Sequence, residues 1–312
     1  MNFLLSIIIP AYNEAHNIKP LIERLFPVVK DYNHEVIFID DGSKDESVKF
    51  IKKIAKENHK VKLIAFLRNF GHQMALSAGY EKAKGNCVVS LDADLQDPPE
   101  IIHEMVKKWQ TGAKIVYARR GKREVDGLIK RTTASLFYRF INFLSDTPIP
   151  EEVGDFRLLD RQVVDFLKLL PERSRFLRGL VAWAGFPEDY VYFTREKRLS
   201  GRTHYSLSKM VNFALEGIIS FSIRPLRMAS YLGFSAATIG FIGIIYAIIG
   251  KFFRPSFFPH DWVTGWTGLF VGIMFLGGIQ LITIGIIGEY VGKIYQELQR
   301  RPRYLIKEEI NL

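Results

Sequence analysis

The chain has 312 residues, a net charge of +10 and a hydrophobic fraction of 48%, enough for a catalytic domain with an appendage. Its one cysteine, Cys87, excludes an intramolecular disulfide, and one cysteine with seven scattered histidines offers no zinc site. A basic chain can bind nucleic acid. Two long uncharged runs make an anionic leaflet and an anionic lipid headgroup the better partners, so no nucleic-acid role is expected.

Leu4–Pro10 is a short apolar run with no basic residues before it and no small-residue cleavage site after it, so it reads as a strand and not as a signal peptide. Further strands are expected at Glu35–Asp40, Val61–Phe66, Cys87–Leu91 and Lys114–Tyr117. Between them, Ile18, Leu21, Ile22, Leu25 and Val29 form one helical stripe, and a second helix runs through Val48, Ile51 and Ile54, with Ser43 and Asp45 as candidate caps. Repeated βα units over 1–117 predict an α/β domain with a mostly parallel sheet, whose ligands bind at the carboxyl ends of the strands.

Those strand ends carry the polar residues. They read Pro10-Ala11-Tyr12-Asn13-Glu14, Asp40-Asp41-Gly42-Ser43, Arg68-Asn69 and Asp92-Ala93-Asp94. Neither a lysine-bearing phosphate loop nor a G-x-G-x-x-G turn occurs after a strand, which counts against ATPase and dinucleotide readings. Alternation puts Asp92 and Asp94 on one side of the chain, where they repel unless a cation lies between them. Hard oxygen ligands of this kind suit Mg²⁺ or Mn²⁺, and Gln96 can add a neutral oxygen. Asp97-Pro98-Pro99 then starts a helix.

From Ser206 to Ser222, Leu207, Met210, Val211, Ala214, Leu215, Ile218 and Phe221 share one face, opposite Ser208, Lys209, Asn212, Glu216 and Ser220. Such a helix suits the membrane interface, although a core helix has the same periodicity. Met228–Ile249 and Val263–Gly288 contain no charged residue, and each exceeds the ~20 residues needed to cross a hydrocarbon core. Their glycines allow close helix packing, within one chain or between copies in a homo-oligomer. Lys209, Arg224 and Arg227 precede the first run, and Lys293, Arg300, Arg301, Arg303 and Lys307 follow the second. Gly250–Trp262 between them is poor in basic residues. This asymmetry predicts two spans with both termini cytoplasmic. The expected division is 1–205 catalytic domain, 206–227 juxtamembrane helix, 228–290 two-span region and 291–312 basic cytoplasmic tail.

The set SIIIPAYNE, FIDDGS, RNFGHQ, LDADLQDPPE, VGDFRL, FLRGL and GRTHYSLSKM resembles the polyisoprenyl-phosphate glycosyltransferases. These are inverting family 2 enzymes of GT-A fold, related to dolichyl-phosphate mannose synthase and bacterial undecaprenyl-phosphate glucosyltransferases. The resemblance covers nearly the whole chain. It implies that Pro10, Tyr12 and Glu14 pack on the nucleobase, that Asp41 contacts base or ribose, and that Arg68 lies on the nucleotide side. It further implies that Asp92, Asp94 and Gln96 form the ribose and metal site. Arg119, Arg131 and Ser135 match the acceptor-phosphate clamp, and Asp155 stands beside the reacting sugar. Asp94, Asp155, Arg119, Arg131 and Ser135 are thus the candidate catalytic set. Glu152 stands where many relatives carry an acidic residue.

The implied reaction moves a hexose from a nucleotide sugar, with UDP-glucose favoured over GDP-mannose, to a polyisoprenyl phosphate at the inner membrane of a bacterium. The acceptor phosphomonoester, with a second pKa of ~6, is largely dianionic at neutral pH and needs no strong base. Two other readings are weighed. A processive polysaccharide synthase usually carries Q-x-x-R-W and more spans, and the segment after Gln296 lacks the tryptophan. A membrane-tethered nucleotide-sugar sensor accounts for the nucleotide residues but not for the arginines.

Overall fold

The computed structural model describes residues 3–121, 153–173, 175–194, 219, 222–253 and 266–312. The βα repeat appears as expected: β1 (Leu4–Ala11), α1 (Ala15–Val29), β2 (Asn33–Asp40), α2 (Ser47–Glu57), β3 (Val61–Phe66), α3 (His72–Lys82) and β4 (Cys87–Ser90). A 3₁₀ turn at Pro99–Ile101 leads into α4 (Ile102–Gln110). Then follow β5 (Ile115–Arg120), β6 (Val153–Asp160), α5 (Arg161–Leu169), α6 (Leu177–Trp183) and β7 (Glu188–Phe193). After these come two long helices, α7 (Arg224–Phe253) and α8 (Trp266–Leu298), and a last strand, β8 (Ile306–Ile310).

Among the described residues the strands form one sheet in the order β7-β5-β6-β4-β1-β2-β3-β8. β1 to β4 are mutually parallel, whereas β6 runs antiparallel to β4 and β5, and β8 antiparallel to β3. Period-two alternation builds both cores. Leu5, Ile7 and Ile9 face α1, α2 and α4, while Ile8 faces α3, α5 and α6. The centre of the sheet is buried on both sides, which explains why its strands read as continuous apolar runs.

Ser6 breaks the run for a reason. Its hydroxyl donates to Glu35 and accepts from the Gly85 amide, and Glu35 also accepts from Lys62 (2.7 Å) and the Lys84 amide (2.7 Å). A Cβ at Gly85 would fall 2.5 Å from the Ser6 hydroxyl, so glycine permits the approach. Burial opposes the Glu35 charge, but Lys62, Ser6 and Lys84 outweigh it and hold the carboxyl below its ordinary range.

α7 and α8 pack together, and the Tyr290 hydroxyl donates to the Ser222 carbonyl (2.6 Å). Among the described residues one segment, Gly272–Leu298, is long and apolar enough to cross a membrane by length and composition. Its large apolar side chains, including Ile273, Phe275, Leu281 and Ile284, are exposed. α7 is a second long helix, rich in exposed apolar side chains such as Phe234, Ile239 and Phe241. The expected amphipathic helix over 206–222 falls almost wholly outside the described residues.

The tail does more than carry charge. Glu297 at the end of α8 accepts from the Arg173 amide (3.0 and 3.1 Å). Arg303 pairs with Glu81 (3.1 Å), and β8 then joins the sheet edge. Its two glutamates pair with the helices on either side: Glu308 with Lys52 (2.5 Å) and Glu309 with Lys82 (2.7 Å).

Replacing Glu35 by Gln leaves Lys62 buried without its counter-ion, and removing one partner of a buried pair costs about 3–5 kcal/mol. Chemical denaturation is expected to show a loss of that size at neutral pH. Because the folded-state pKa of Glu35 is depressed, its contribution holds above the ordinary glutamate value of 4.5 and fades as pH falls below it. The gap between parent and Glu35→Gln should therefore narrow in acid.

Candidate active site

Strand register gathers the site. β4 and β6 pair Cys87 with Asp160 and Ser90 with Arg157. Continuing that antiparallel register two residues past Ser90 brings Asp155 opposite Asp92, at the carboxyl edge of the parallel strands. There Asp155, 5% exposed, meets four partners. Arg178 from α6 grips it with Nε at 3.1 Å and Nη2 at 2.9 Å. Arg157, fully buried, lies at 3.5 Å; Gln73 donates at 3.3 Å; His72 Nε2 stands 3.4 Å away. His72 also reaches Asp92 at 3.7 Å, so one imidazole lies between two carboxylates.

The electrostatics follow from those distances. Burial opposes the charge of Asp155, yet Arg178, His72 and Arg157 overcome it and hold the carboxyl well below the usual carboxylate range. Burial also disfavours protonation of His72, but Asp155 and Asp92 outweigh it and raise its pKa. Asp92 moves the other way. Burial, with the charges of Asp155 and Asp94, raises its pKa against the pull of His72.

Asp94 is buried and accepts from the Gln96 amide (3.1 Å), and Leu95 between them takes a left-handed φ of 60°. A non-glycine residue held there is a mark of a constrained turn. Among the described residues no group of three or more His, Cys, Asp or Glu is arranged to hold a metal ion. The two carboxylates of Asp92 and Asp94 at one strand end nevertheless suit a divalent cation. The donors are hard oxygens of the kind that bind such an ion.

A cleft of about 580 Å³ opens at the same edge of the sheet, over the ends of β1, β2 and β3, lined by Tyr12, Asp40, Ser43, Arg68 and Lys307 among others. Its size is that of a small-ligand site. Hydrogen bonds between the first two strand-end loops hold it open: Asn13 N to Ser43, Lys44 N to Asn13, and Ala15 N to Asp45. Ser43 thus ties these loops together and does not cap α2, whereas Asp45 accepts from the Ser47 amide (3.0 Å) at the start of that helix. Gly42 (φ 74°) packs so closely on Arg68 that a Cβ would fall 2.4 Å from its backbone. Asp40 keeps one buried oxygen without a hydrogen-bond partner.

The expected site residues are distributed as follows. Tyr12 and Arg68 line the cleft, Arg68 with its guanidinium 4.2 Å from the Phe70 ring centroid. Pro10 is buried in β1, and Glu14 leads into α1, accepting from Asn17. Asp41 is buried and accepts from the Phe70 (2.7 Å) and Gly71 (2.9 Å) amides, so it organises the loop before α3 while its neighbour Asp40 lines the cleft. Arg119 lies on β5, 5.4 Å from the Tyr190 ring centroid. Arg131, Ser135 and Glu152 lie outside the described residues. The sequence alone assigns no role to His72, Gln73, Arg178 or Asp40. The first three sit inside the motifs RNFGHQ and FLRGL, and that membership is the signal that could have found them.

A small-ligand cleft and a buried ionic cluster at the carboxyl edge of a mixed α/β sheet fit a Rossmann-like domain of GT-A type. The pattern of Glycosyl transferase family 2 matches residues 6–167, and the chain belongs to that family. It is 44% identical over 310 residues to an uncharacterized glycosyltransferase of Synechocystis sp., covering 99% of this chain and 96% of that one. It is 43% identical over 309 residues to the bactoprenol glucosyl transferase of Shigella phage SfV, covering 98% of each. A solved structure of glucosyl-3-phosphoglycerate synthase from Mycobacterium tuberculosis aligns with a TM-score of 0.48 at 19% identity, over 72% of this chain and 80% of that one.

Gln73 donates to Asp155 and accepts from the Leu177 amide (3.1 Å), so it ties α3 to both β6 and α6. Gln73→Glu preserves shape but sets a like charge against Asp155. Transferase activity is expected to fall at least tenfold, with a stability loss of about 1–3 kcal/mol. Parent-like activity would show that the tie has no functional consequence.

Proposed function

We propose that this enzyme transfers glucose from UDP-glucose, with inversion, to the phosphate of a polyisoprenyl phosphate such as undecaprenyl phosphate, at the cytoplasmic face of a bacterial membrane. The observation that carries the reading is that the Asp92–Asp94–Asp155 cluster and the cleft lie at one edge of the sheet, in a chain that continues into a long exposed apolar helix. A donor that arrives from water and an acceptor that stays in lipid need that combination. The full-length relatives named bactoprenol glucosyl transferase support the same acceptor class and the same sugar.

In this reading the nucleoside occupies the cleft under Tyr12, beside Asp40 and Arg68. Asp92 and Asp94, with Gln96 near them, would hold Mg²⁺ or Mn²⁺. That cation would supply charge stabilisation to the departing nucleoside diphosphate. Arg119, Arg131 and Ser135 hold the incoming phosphate. A dianionic phosphate oxygen attacks the anomeric carbon directly, so the protein's work is alignment and charge management. Asp155, ionised and gripped by two arginines, orients the sugar and its neighbours and does not take up a proton. α7 and α8 cross the membrane as a pair, with the sheet domain and both termini in the cytoplasm.

The experiment is to supply purified protein with UDP-glucose and follow UDP release with and without undecaprenyl phosphate. Release is expected only with the lipid, and Asp94→Asn or excess EDTA should abolish it. Release unaffected by lipid would exclude this acceptor. Binding without turnover would favour a nucleotide-sugar sensor, and preference for GDP-mannose in the same assay would reassign the donor.

A further inference from the structure

β8 meets β3 with Ile310 opposite Leu63, Glu309 opposite Ile64 and Glu308 opposite Ala65, but Ile306 and not Lys307 is opposite Phe66. Lys307 is therefore the extra residue of a β-bulge. Its effect on side-chain direction is visible on both sides. Ile310 packs with the core under α1 and α2, and Glu308 pairs with Lys52 of α2. Without the bulge Ile306 would point the same way; instead it packs into the opposite core under α3.

The flanks hold this bulge in place. Tyr304 stacks on Phe66 with ring centroids 4.9 Å apart and donates its hydroxyl to Glu81. The Leu305 carbonyl accepts from the Leu67 amide (3.0 Å), and the Asn311 side chain donates to the Ala55 (2.8 Å) and Val61 (2.9 Å) carbonyls. Bulges re-aim a side chain next to a site. This one leaves Lys307 exposed on the wall of the cleft that also holds Tyr12, Asp40 and Arg68.

The geometry points to Lys307 as a donor-positioning residue, contributed to the nucleotide cleft by the chain that returns after the long helices. Its ammonium donates to an acceptor oxygen of the nucleoside diphosphate, either a base carbonyl or a phosphate. The inference rests on the donor reading above. It adds that the cleft is incomplete until the last residues of the chain have joined the sheet edge.

The test measures binding of uridine, UMP and UDP to the full-length protein in detergent, for the parent, Lys307→Met and Lys307→Arg. Lys307→Met is expected to weaken UDP binding roughly tenfold to a hundredfold, the span of one hydrogen bond to a charged group. Lys307→Arg should restore much of that loss, and the KM for undecaprenyl phosphate should stay near the parent value. A loss already present with uridine assigns the contact to the base; a loss that begins with UMP or UDP assigns it to phosphate. Equal UDP affinity in parent and Lys307→Met overturns the inference. So does a loss matched by a lower melting temperature and not rescued by arginine, which would give Lys307 a folding role only. A parent that binds no UDP at all overturns the donor reading, and this inference with it.

Discussion

The buried carboxylate of Asp155 is the constraint around which the site is arranged. A charge taken out of water must be met by opposite charge and hydrogen bonds, or it neutralises. Here the demand is answered from three elements: Arg157 on the same strand, Arg178 on α6, and His72 with Gln73 at the start of α3. Meeting it locks β6 against α3 and α6. The same lock sets the distance between Asp155 and Asp92, since His72 touches both. The antiparallel insertion of β6 beside β4 therefore does chemical as well as architectural work. It is what brings a residue from beyond the parallel βα repeat to the edge that the repeat builds.

A second dependence runs through the edge strand. An exposed strand edge is a hazard that proteins cover, and here β8 covers β3. The covering segment lies beyond α7 and α8 in sequence, and Glu297 at the end of α8 holds the Arg173 amide in the loop before α6. The α6 that supplies Arg178 is thus linked to the end of the long helix. In the proposed setting, the part of the chain that meets the membrane and the part that holds the donor are mechanically continuous.

How much of this is legible in the sequence differs by element. The parallel βα repeat is legible because continuous apolar runs that alternate with helical stripes and end in polar residues suit a sheet buried on both faces. The strand ends at Tyr12, Asp40-Asp41, Arg68 and Asp92-Ala93-Asp94 follow directly. The motif VGDFRL signals Asp155 but not its partners, because Arg178, His72 and Gln73 come from distant segments that only topology brings together. Adjacent residues are also hard to separate: Asp40 lines the cleft while Asp41 binds backbone amides, a distinction set by strand phase. β8 is hidden for a different reason. Ile306–Ile310 alternates weakly and is rich in charge, and it follows Arg300, Arg301 and Arg303, so it reads as part of a basic tail, and its strand character comes from pairing with β3.

If Asp155 and its arginines act as one unit, their removal should not be additive. The direct measurement is a double-mutant cycle on Asp155→Asn and Arg178→Gln, with kcat/KM for the proposed glucosyl transfer to undecaprenyl phosphate as the readout. Each single variant is expected to lose most of the activity, and the double variant to be no worse than the poorer single. Losses that multiply, so that the double variant falls by the product of the two, would mean that the groups act independently and would contradict the account.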